Sequence, residues 1–340
     1  MKLKSLVTAL ALSAAIPASA TELNMQNAFP AGLPIVGTGA DRFADLVETL
    51  TGGELSVTVH GPGALSPLPE ILENVGSGAI EAGWAYAGFW EGKAPAAGLF
   101  GSIPFGPDAM KYLAWTMEGG GLEIWREVYE PFNVVPFPCG AIIAEAGGWY
   151  TKEINTAEDF AGVNFRIGGL GGRILGKLGA NPVLLPVGEV TTALQTGRLD
   201  GVEISAPWVD RNLGFNTVAN NYYFPGWHQP AGFTELIINK DVWDAMSTQE
   251  QAAVETACAE INIWAIGIAS AAQADALAFL RGEGVNVQRF PDEVLAALRD
   301  ATEEVFTEQS AADPMFKRAL ESYQAFSDKY DEYQSLSALD

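Results

Sequence analysis

The chain has 340 residues, 48% of them hydrophobic, and 42 acidic against 19 basic side chains, for a formal net charge of −23. This length is too great for one small core and predicts two lobes, and the apolar content excludes a disordered chain. The acidic excess excludes a basic nucleic-acid face and attachment to anionic lipid, and two cysteines with two histidines exclude a Cys/His metal cluster.

In chain order, MKLKSLVTALALSAAIPASA (1–20) combines Lys2 and Lys4, an apolar run from Leu6 to Ile16 and an Ala18-Ser19-Ala20 cleavage pattern. It reads as a signal peptide, which predicts a mature chain from about Thr21 outside the cytoplasm. No later segment is expected to offer the roughly 18 uncharged apolar residues of a membrane helix. The runs LNMQ (23–26), LSVTV (55–59), AIEAGWAY (79–86), VNFRI (163–167) and PVLLPV (182–187) are strand-like and alternate with helical patterns, which predicts α/β lobes. VGSGAIE (75–81) and LQTGRLDG (194–201) both read as a helix end, a glycine stop and an acid opening a strand, so the two lobes should be similarly built. Asp200 is expected to cap its strand or turn. Ser247 and Glu250 form a capping-box pattern that opens a long helix, 247–280, suited to spanning both lobes. The tail after Pro314 is again helical. Cys139 sits in an apolar run and Cys258 in the long helix; two buried free thiols are expected, one bridge being the alternative.

Catalytic signatures fail. GGRILGKL (171–178) has P-loop spacing, but Leu178 stands where a Ser or Thr hydroxyl is needed for Mg²⁺. No G-x-G-x-x-G follows a strand, and neither G-x-S-x-G nor H-E-x-x-H occurs. A binder is expected rather than an enzyme.

Three charges lie in apolar or small-residue surroundings: Glu145 in PCGAIIAEAGGW, Arg166 in GVNFRIGG and Glu203 in LDGVEISAPW. A buried charge needs a partner or a ligand. The residues alone admit two readings: Arg166 bridges a glutamate or the three face solvent at strand ends, or Arg166 offers a two-pronged donor to a carboxylate beside oxygens that hold a cation. Glycines 168, 169, 171 and 172 fit either, because they permit close backbone approach at a helix start. Among the aromatics, Trp84, Tyr86, Phe89, Trp90, Trp208 and Trp227 are divided between core packing and cleft lining, and Tyr222, Tyr223 and Phe224 are expected to be structural.

The segments ALQTGRLDGVE (193–203) and FRIGGLGG (165–172), with GFWEGKAPA (88–96), IPFG (103–106), EPFNVVPFPCG (130–140), GGWYTKEIN (147–155), NLGFNTVANNYYFPGW (212–227) and INKDVW (238–243), resemble the DctP-like solute-binding proteins of tripartite ATP-independent periplasmic (TRAP) transporters. They are most similar to the branch that binds 2-oxo and 2-hydroxy monocarboxylates with a metal ion. The resemblance implies that Arg166 grips the substrate carboxylate and that Glu203 ligates a cation, with the backbone carbonyl of Ile204 contributing. Ile204 stands where the family usually has Trp. Glu145 stands where the branch has Gln, and Gln229, after PGWH, where it has Glu, so carboxylate and amide have traded places. The implied metal ligands are Glu203, Glu145, Ile204 and Gln229; the implied substrate contacts are Arg166, Glu145, Ile204, Gln229, Phe89, Tyr86 and Trp208. Gly88 and Phe89 replace residues around a tyrosine pair, which implies either a substrate less polar there or Tyr86 as the substitute donor. The oxygen-only donor set suits Na⁺ or Ca²⁺ equally.

The expected architecture is an α/β two-lobed periplasmic-binding-protein fold with the ligand cleft between lobes. Lobe I takes 21–146 plus 232–268, lobe II 147–231 plus 269–313, and the tail 314–340. The expected partners are a small organic acid, the small and large TRAP membrane subunits and, through the amphipathic tail, a second copy of the chain. An exported glycoside hydrolase using Glu145 and Glu203, and a ligand sensor docking a receptor, are the alternatives.

Overall fold

The computed structural model describes residues 20–337. The leader expected at 1–20 therefore lies, but for Ala20, outside the described residues. Two sheets organise the rest. Strands β1 (Thr21–Asn27), β2 (Leu55–His60), β3 (Ala82–Ala85), β4 (Val134–Ile142) and β10 (Gly232–Asn239) form a five-stranded sheet in the order β2-β1-β3-β10-β4, with β10 antiparallel to both neighbours. Strands β5 (Gly148–Tyr150), β6 (Asn164–Arg166), β7 (Asn181–Val183), β8 (Gly201–Val202), β9 (Asn221–Phe224) and β11 (Asn286–Arg289) form a six-stranded sheet in the order β11-β9-β5-β8-β6-β7. The strand expected over 182–187 is shorter than its sequence suggests: Pro186 ends the extended run and helix Val187–Gln195 begins. The echoed segments do repeat one device. Gly78 (φ 75°) and Gly197 (φ 69°) each follow a helix in the left-handed region, and β3 and β8 begin four residues later.

The chain passes between the sheets three times, through 143–147, through 225–231 and through the long helix Thr248–Gly282. Ser247 and Glu250 close the capping box at its start, the Ser247 Oγ accepting from the Glu250 amide at 3.2 Å and the Glu250 Oε2 accepting from the Ser247 amide at 2.7 Å. The helix packs on β4, on helix Thr38–Thr51 and on the short helix Pro207–Asp210, so it touches both halves. An 18-residue window within it has mean hydropathy 1.5 and at most two charged side chains, long and apolar enough to cross a membrane. That window admits charges, and the helix's longest uncharged run, 261–274 between Glu260 and Asp275, is shorter than the roughly 18 uncharged residues of the sequence expectation. The alanine and isoleucine content has a local use, since Ala253, Ala257, Ile261 and Ala265 are buried against the body.

Cys139 on β4 and Cys258 on this helix form a disulfide, with Cα atoms 4.4 Å apart. The expected free thiols are corrected, because packing helix on strand brings two distant apolar segments within bonding reach. Helix Asp292–Ala312 lies against helix Leu170–Lys177, and the last helix, Pro314–Ser337, returns to helices Ala109–Glu118 and Gly121–Tyr129. Phe316, Ala319, Leu320 and Tyr323 fill its inner face, and Lys111 Nζ holds Asp331 at 2.7 Å. The first half of the tail's apolar face is thus spent on its own chain, while Tyr333 and Leu336 stay exposed.

Candidate functional site

A cavity of about 30 Å³ lies between the sheets, lined by Phe29, Val36, Tyr86, Phe89 and Ile142 from one side, Arg166, Gly168, Val187, Glu203 and Ile204 from the other, and Glu145 and Gln229 from the two short crossings. Larger open grooves, such as one of about 280 Å³ beside Arg126 and Trp243, gather no buried charges, so chemistry and not size marks the site. Glu145, Arg166, Glu203, His228 and Gln229 are 2, 4, 6, 4 and 5% exposed. In a soluble fold that much buried charge in one place calls for mutual compensation or a ligand.

Arg166 ends β6. Its Nε donates to the Leu185 carbonyl at 3.2 Å and its Nη1 to the Glu203 carbonyl at 2.6 Å, while the Glu203 carboxylate is 3.9 Å away. Two backbone oxygens fix the guanidinium plane, and among the described residues no hydrogen bond takes Nη2. The glycines that follow let the next turn close in. A Cβ at Gly171 would lie 2.6 Å from the movable Ile167 Cδ1 and 3.0 Å from His228 Cβ, so glycine lets helix Leu170–Lys177 sit close against the crossing. Glu203 follows β8, and its amide donates to the Arg166 carbonyl at 3.0 Å, which sets the two charged residues on adjacent strand ends.

The crossings are tied to one another. The Glu145 amide donates to the Gln229 carbonyl at 3.2 Å, and the Gly226 amide donates to the Glu145 carbonyl at 3.0 Å. Ser102 Oγ donates to the His228 carbonyl at 2.9 Å. This places a residue that sequence reasoning overlooked, His228, at the centre. Its Nε2 is 3.5 Å from Glu145 Oε2 and 3.5 Å from Glu203 Oε1, close enough for attraction but not for a well-formed hydrogen bond. Both ring nitrogens and Glu145 Oε2 are buried without a hydrogen-bond partner. One donor atom from each of Glu145, Glu203 and His228 falls within 4.8 Å of the others. Burial works to lower the His228 pKa, but Glu203 and Glu145 outweigh it and hold it up at about 9. Burial pushes Glu145 well above the usual carboxylate range against the pull of His228; for Glu203, burial is outweighed by His228 and Arg166, which keep it below that range.

Of the residues singled out from the sequence, Arg166, Glu145, Glu203, Ile204, Gln229, Phe89 and Tyr86 all line the cavity, and Trp208 does not. The short helix Pro207–Asp210 turns Trp208 toward the long helix, where its amide donates to Gln273 Oε1 at 3.0 Å and its ring packs beside Ala265 and Ala269. Trp84 and Trp90 are fully buried core, and Asp200 accepts from the Asn164 amide at 2.9 Å, tying β6 to the start of β8. His228 escapes a reading that sets the two histidines aside by their number alone. The signal was its position, next to Gln229 in PGWHQ.

Residues 29–313 match the family model for bacterial extracellular solute-binding protein family 7, DctP. A monocarboxylate 2-oxoacid-binding periplasmic protein of Nostoc sp. is 34% identical over 288 residues, which is 85% of this chain and 79% of that one. A TRAP transporter solute-binding protein from Bordetella bronchiseptica, solved as a mixed-occupancy dimer with copurified calcium and picolinate bound, superposes with a TM-score of 0.91 at 33% identity, covering 93% of this chain and 94% of that one. A TRAP periplasmic solute-binding protein from Pseudoalteromonas atlantica with bound sodium and pyruvate gives 0.89 at 28% identity, covering 93% and 97%.

Proposed function

The chain belongs to family 7 of the bacterial extracellular solute-binding proteins, whose members are receptors and not enzymes, and on that premise we propose that it captures a small 2-oxo or 2-hydroxy monocarboxylate in the periplasm and hands it to TRAP membrane subunits. The observation that carries this reading is Arg166: buried, locked by two carbonyls, and with Nη2 left for an acid in the cavity. A planar guanidinium so held suits the two oxygens of a carboxylate. The Glu145 and Glu203 carboxylates, the Gln229 amide and the Ile204 carbonyl lie beside it as oxygen donors, and the unpartnered Glu145 Oε2 fits a cation. Na⁺ or Ca²⁺, the ions bound in the solved relatives, would lend positive charge to the acid's oxygens. Lobe I is taken as 21–146 plus 232–268 and lobe II as 147–231 plus 269–313, closing on the ligand because only the closed form lets both contact it.

The glycosidase alternative gains no support, because the matching family and relatives are named for solute binding. Calorimetry with pyruvate and 2-hydroxy acids tests the reading. Arg166→Ala should weaken binding on the order of 100-fold or more, because it strands a carboxylate in a dry site. Wild-type affinity in that variant would remove Arg166 from the site. Docking to the membrane subunits is tested by co-expression with them and measured uptake, which should require this chain.

A further inference from the structure

The geometry points to Phe89 as a movable partition between the acid site and an outer groove that seats an uncharged aryl group, so that the favoured solute is a 2-oxo or 2-hydroxy acid carrying an aromatic ring. The inference rests on the solute-binding reading and names the solute within it. Phe89 and Gly168 line the cavity that holds Arg166, and both also line a groove of about 300 Å³ at the rim of the cleft. Between the two spaces one ring faces one glycine. The aromatic neighbours of Phe89 all come from its own side: its ring centroid lies 5.3 Å from that of Tyr86, edge on, and 6.1 Å from those of Phe29 and Trp90. Across the gap, a Cβ built on Gly168 would lie 3.4 Å from Phe89 Cε1 and 3.8 Å from Leu184 Cδ1, which is ordinary contact, and the Gly168 backbone is not in the left-handed region. Neither a clash nor a turn demands glycine there. Its effect is to leave the far side of the partition bare, which gives the Phe89 ring space to swing to another rotamer.

The choice of solute follows from what the groove is made of. Gly168, Gly169, Gly172 and Gly176 supply bare backbone, and Ile167, Pro182 and Leu184 supply apolar walls. Leu184 is 38% exposed, so apolar surface beside the site is left for a ligand to cover. The charged side chains of the groove, Glu91 and Arg173, are paired with each other at 2.7 Å. No spare cation therefore waits for a second carboxylate, and a dicarboxylic acid would press its distal charge against apolar walls without compensation. A flat ring suits the place, because it can lie on the peptide planes that glycines leave uncovered and meet Phe89 edge or face, as aromatic pairs do. An apolar void of about 150 Å³ is enough to hold benzene. The groove, at about 300 Å³, has room for a ring that enters from the acid site.

The test is calorimetry on the full-length mature protein with Na⁺ and Ca²⁺ present, using pyruvate, phenylpyruvate and 2-oxoglutarate as probes. Phenylpyruvate should bind roughly tenfold tighter than pyruvate, from the apolar area its ring covers, and 2-oxoglutarate should bind more weakly than either. Leu184 lines the groove and not the cavity, so Leu184→Asp should cost phenylpyruvate roughly tenfold and leave pyruvate affinity in place. Gly168→Val, which wedges the Phe89 ring where it stands, should harm phenylpyruvate more than pyruvate. Phenylpyruvate that binds no tighter than pyruvate, or that binds Leu184→Asp as well as it binds the wild type, overturns the inference, while pyruvate binding keeps the solute reading standing. Failure of all three acids under either cation would sink the solute reading itself, and this inference with it.

Discussion

At the scale of single residues, two carboxyls that do not line the cavity are also held away from their ordinary ionisation. Glu235, fully buried on β10, receives hydrogen bonds from Trp90 Nε1 and from the Tyr129 hydroxyl at 2.8 Å; burial, opposed by those bonds, pushes its pKa up to about 7. Asp210, held by Trp149 Nε1 at 3.0 Å and the Tyr222 hydroxyl at 2.8 Å, is likewise raised by burial to about 7. A carboxyl raised in the folded state stabilises fully below its unfolded pKa of about 4, and that contribution is lost as pH rises to about 7. Denaturant melts between pH 4.5 and 8 should show stability falling with pH across this window. In Glu235→Gln, which mimics the protonated side chain, that fall should shrink by an amount on the order of 3 kcal/mol at most. An unchanged slope would mean Glu235 ionises normally. Arg166 shows how far residue types alone reach: its isolation among apolar neighbours and glycines was visible in the sequence, but that its Nε and Nη1 are occupied by carbonyls depends on Leu185 and Glu203, which only the sheet brings near.

At the scale of elements, the periodic signals were legible and the pairings were not. The Ser247–Glu250 box and the glycine-stopped helices are local chemistry, and each appears where the sequence placed it. The Cys139–Cys258 bond, by contrast, closes a separation of 119 residues and depends on the long helix crossing β4. Replacing both cysteines by serine should cost about 2–5 kcal/mol of unfolding free energy, measured by guanidinium melts against the oxidised protein. No change would place little weight on that crossing. The Gly171 contact makes a sharper test of how two elements meet. A valine there would force helix Leu170–Lys177 away from Ile167 and His228, so Gly171→Val should reduce ligand affinity more than tenfold, by calorimetry, because misplacing a site by about 1 Å is costly. The resemblance implied that Glu145 and Glu203 share a site, but His228's place beside them was illegible for the same reason as the disulfide: residues from two crossings and a strand end share no spacing, and folding alone unites them.

For the whole molecule, the two sheets meet at the mouth of the cavity through Arg173, whose Nε donates to Glu91 Oε1 at 2.7 Å, and through Leu170 facing Gly98. Arg173 is 40% exposed at its side chain, so the pair is worth under about 1 kcal/mol, yet it joins opposite lips and is made only when they are together. Arg173→Ala should leave unfolding stability nearly unchanged while small-angle scattering shows a larger unliganded population of the extended form; identical scattering profiles would show that the pair does not hold the lips. The overall two-lobed α/β plan was readable from alternation and from the repeated glycine stops, because those report local geometry twice over. The order β11-β9-β5-β8-β6-β7, which sends the chain back and forth, was not. Where the stitched segments 143–147 and 225–231 run side by side, the molecule has placed Glu145, His228 and Gln229 on its own axle. Points near an axle sweep short arcs while the rims travel far. Those three side chains should therefore stay together in the gaping form, so that on the proposed reading a cation can load first and the acid, arriving second, supplies the leverage that draws the rims shut.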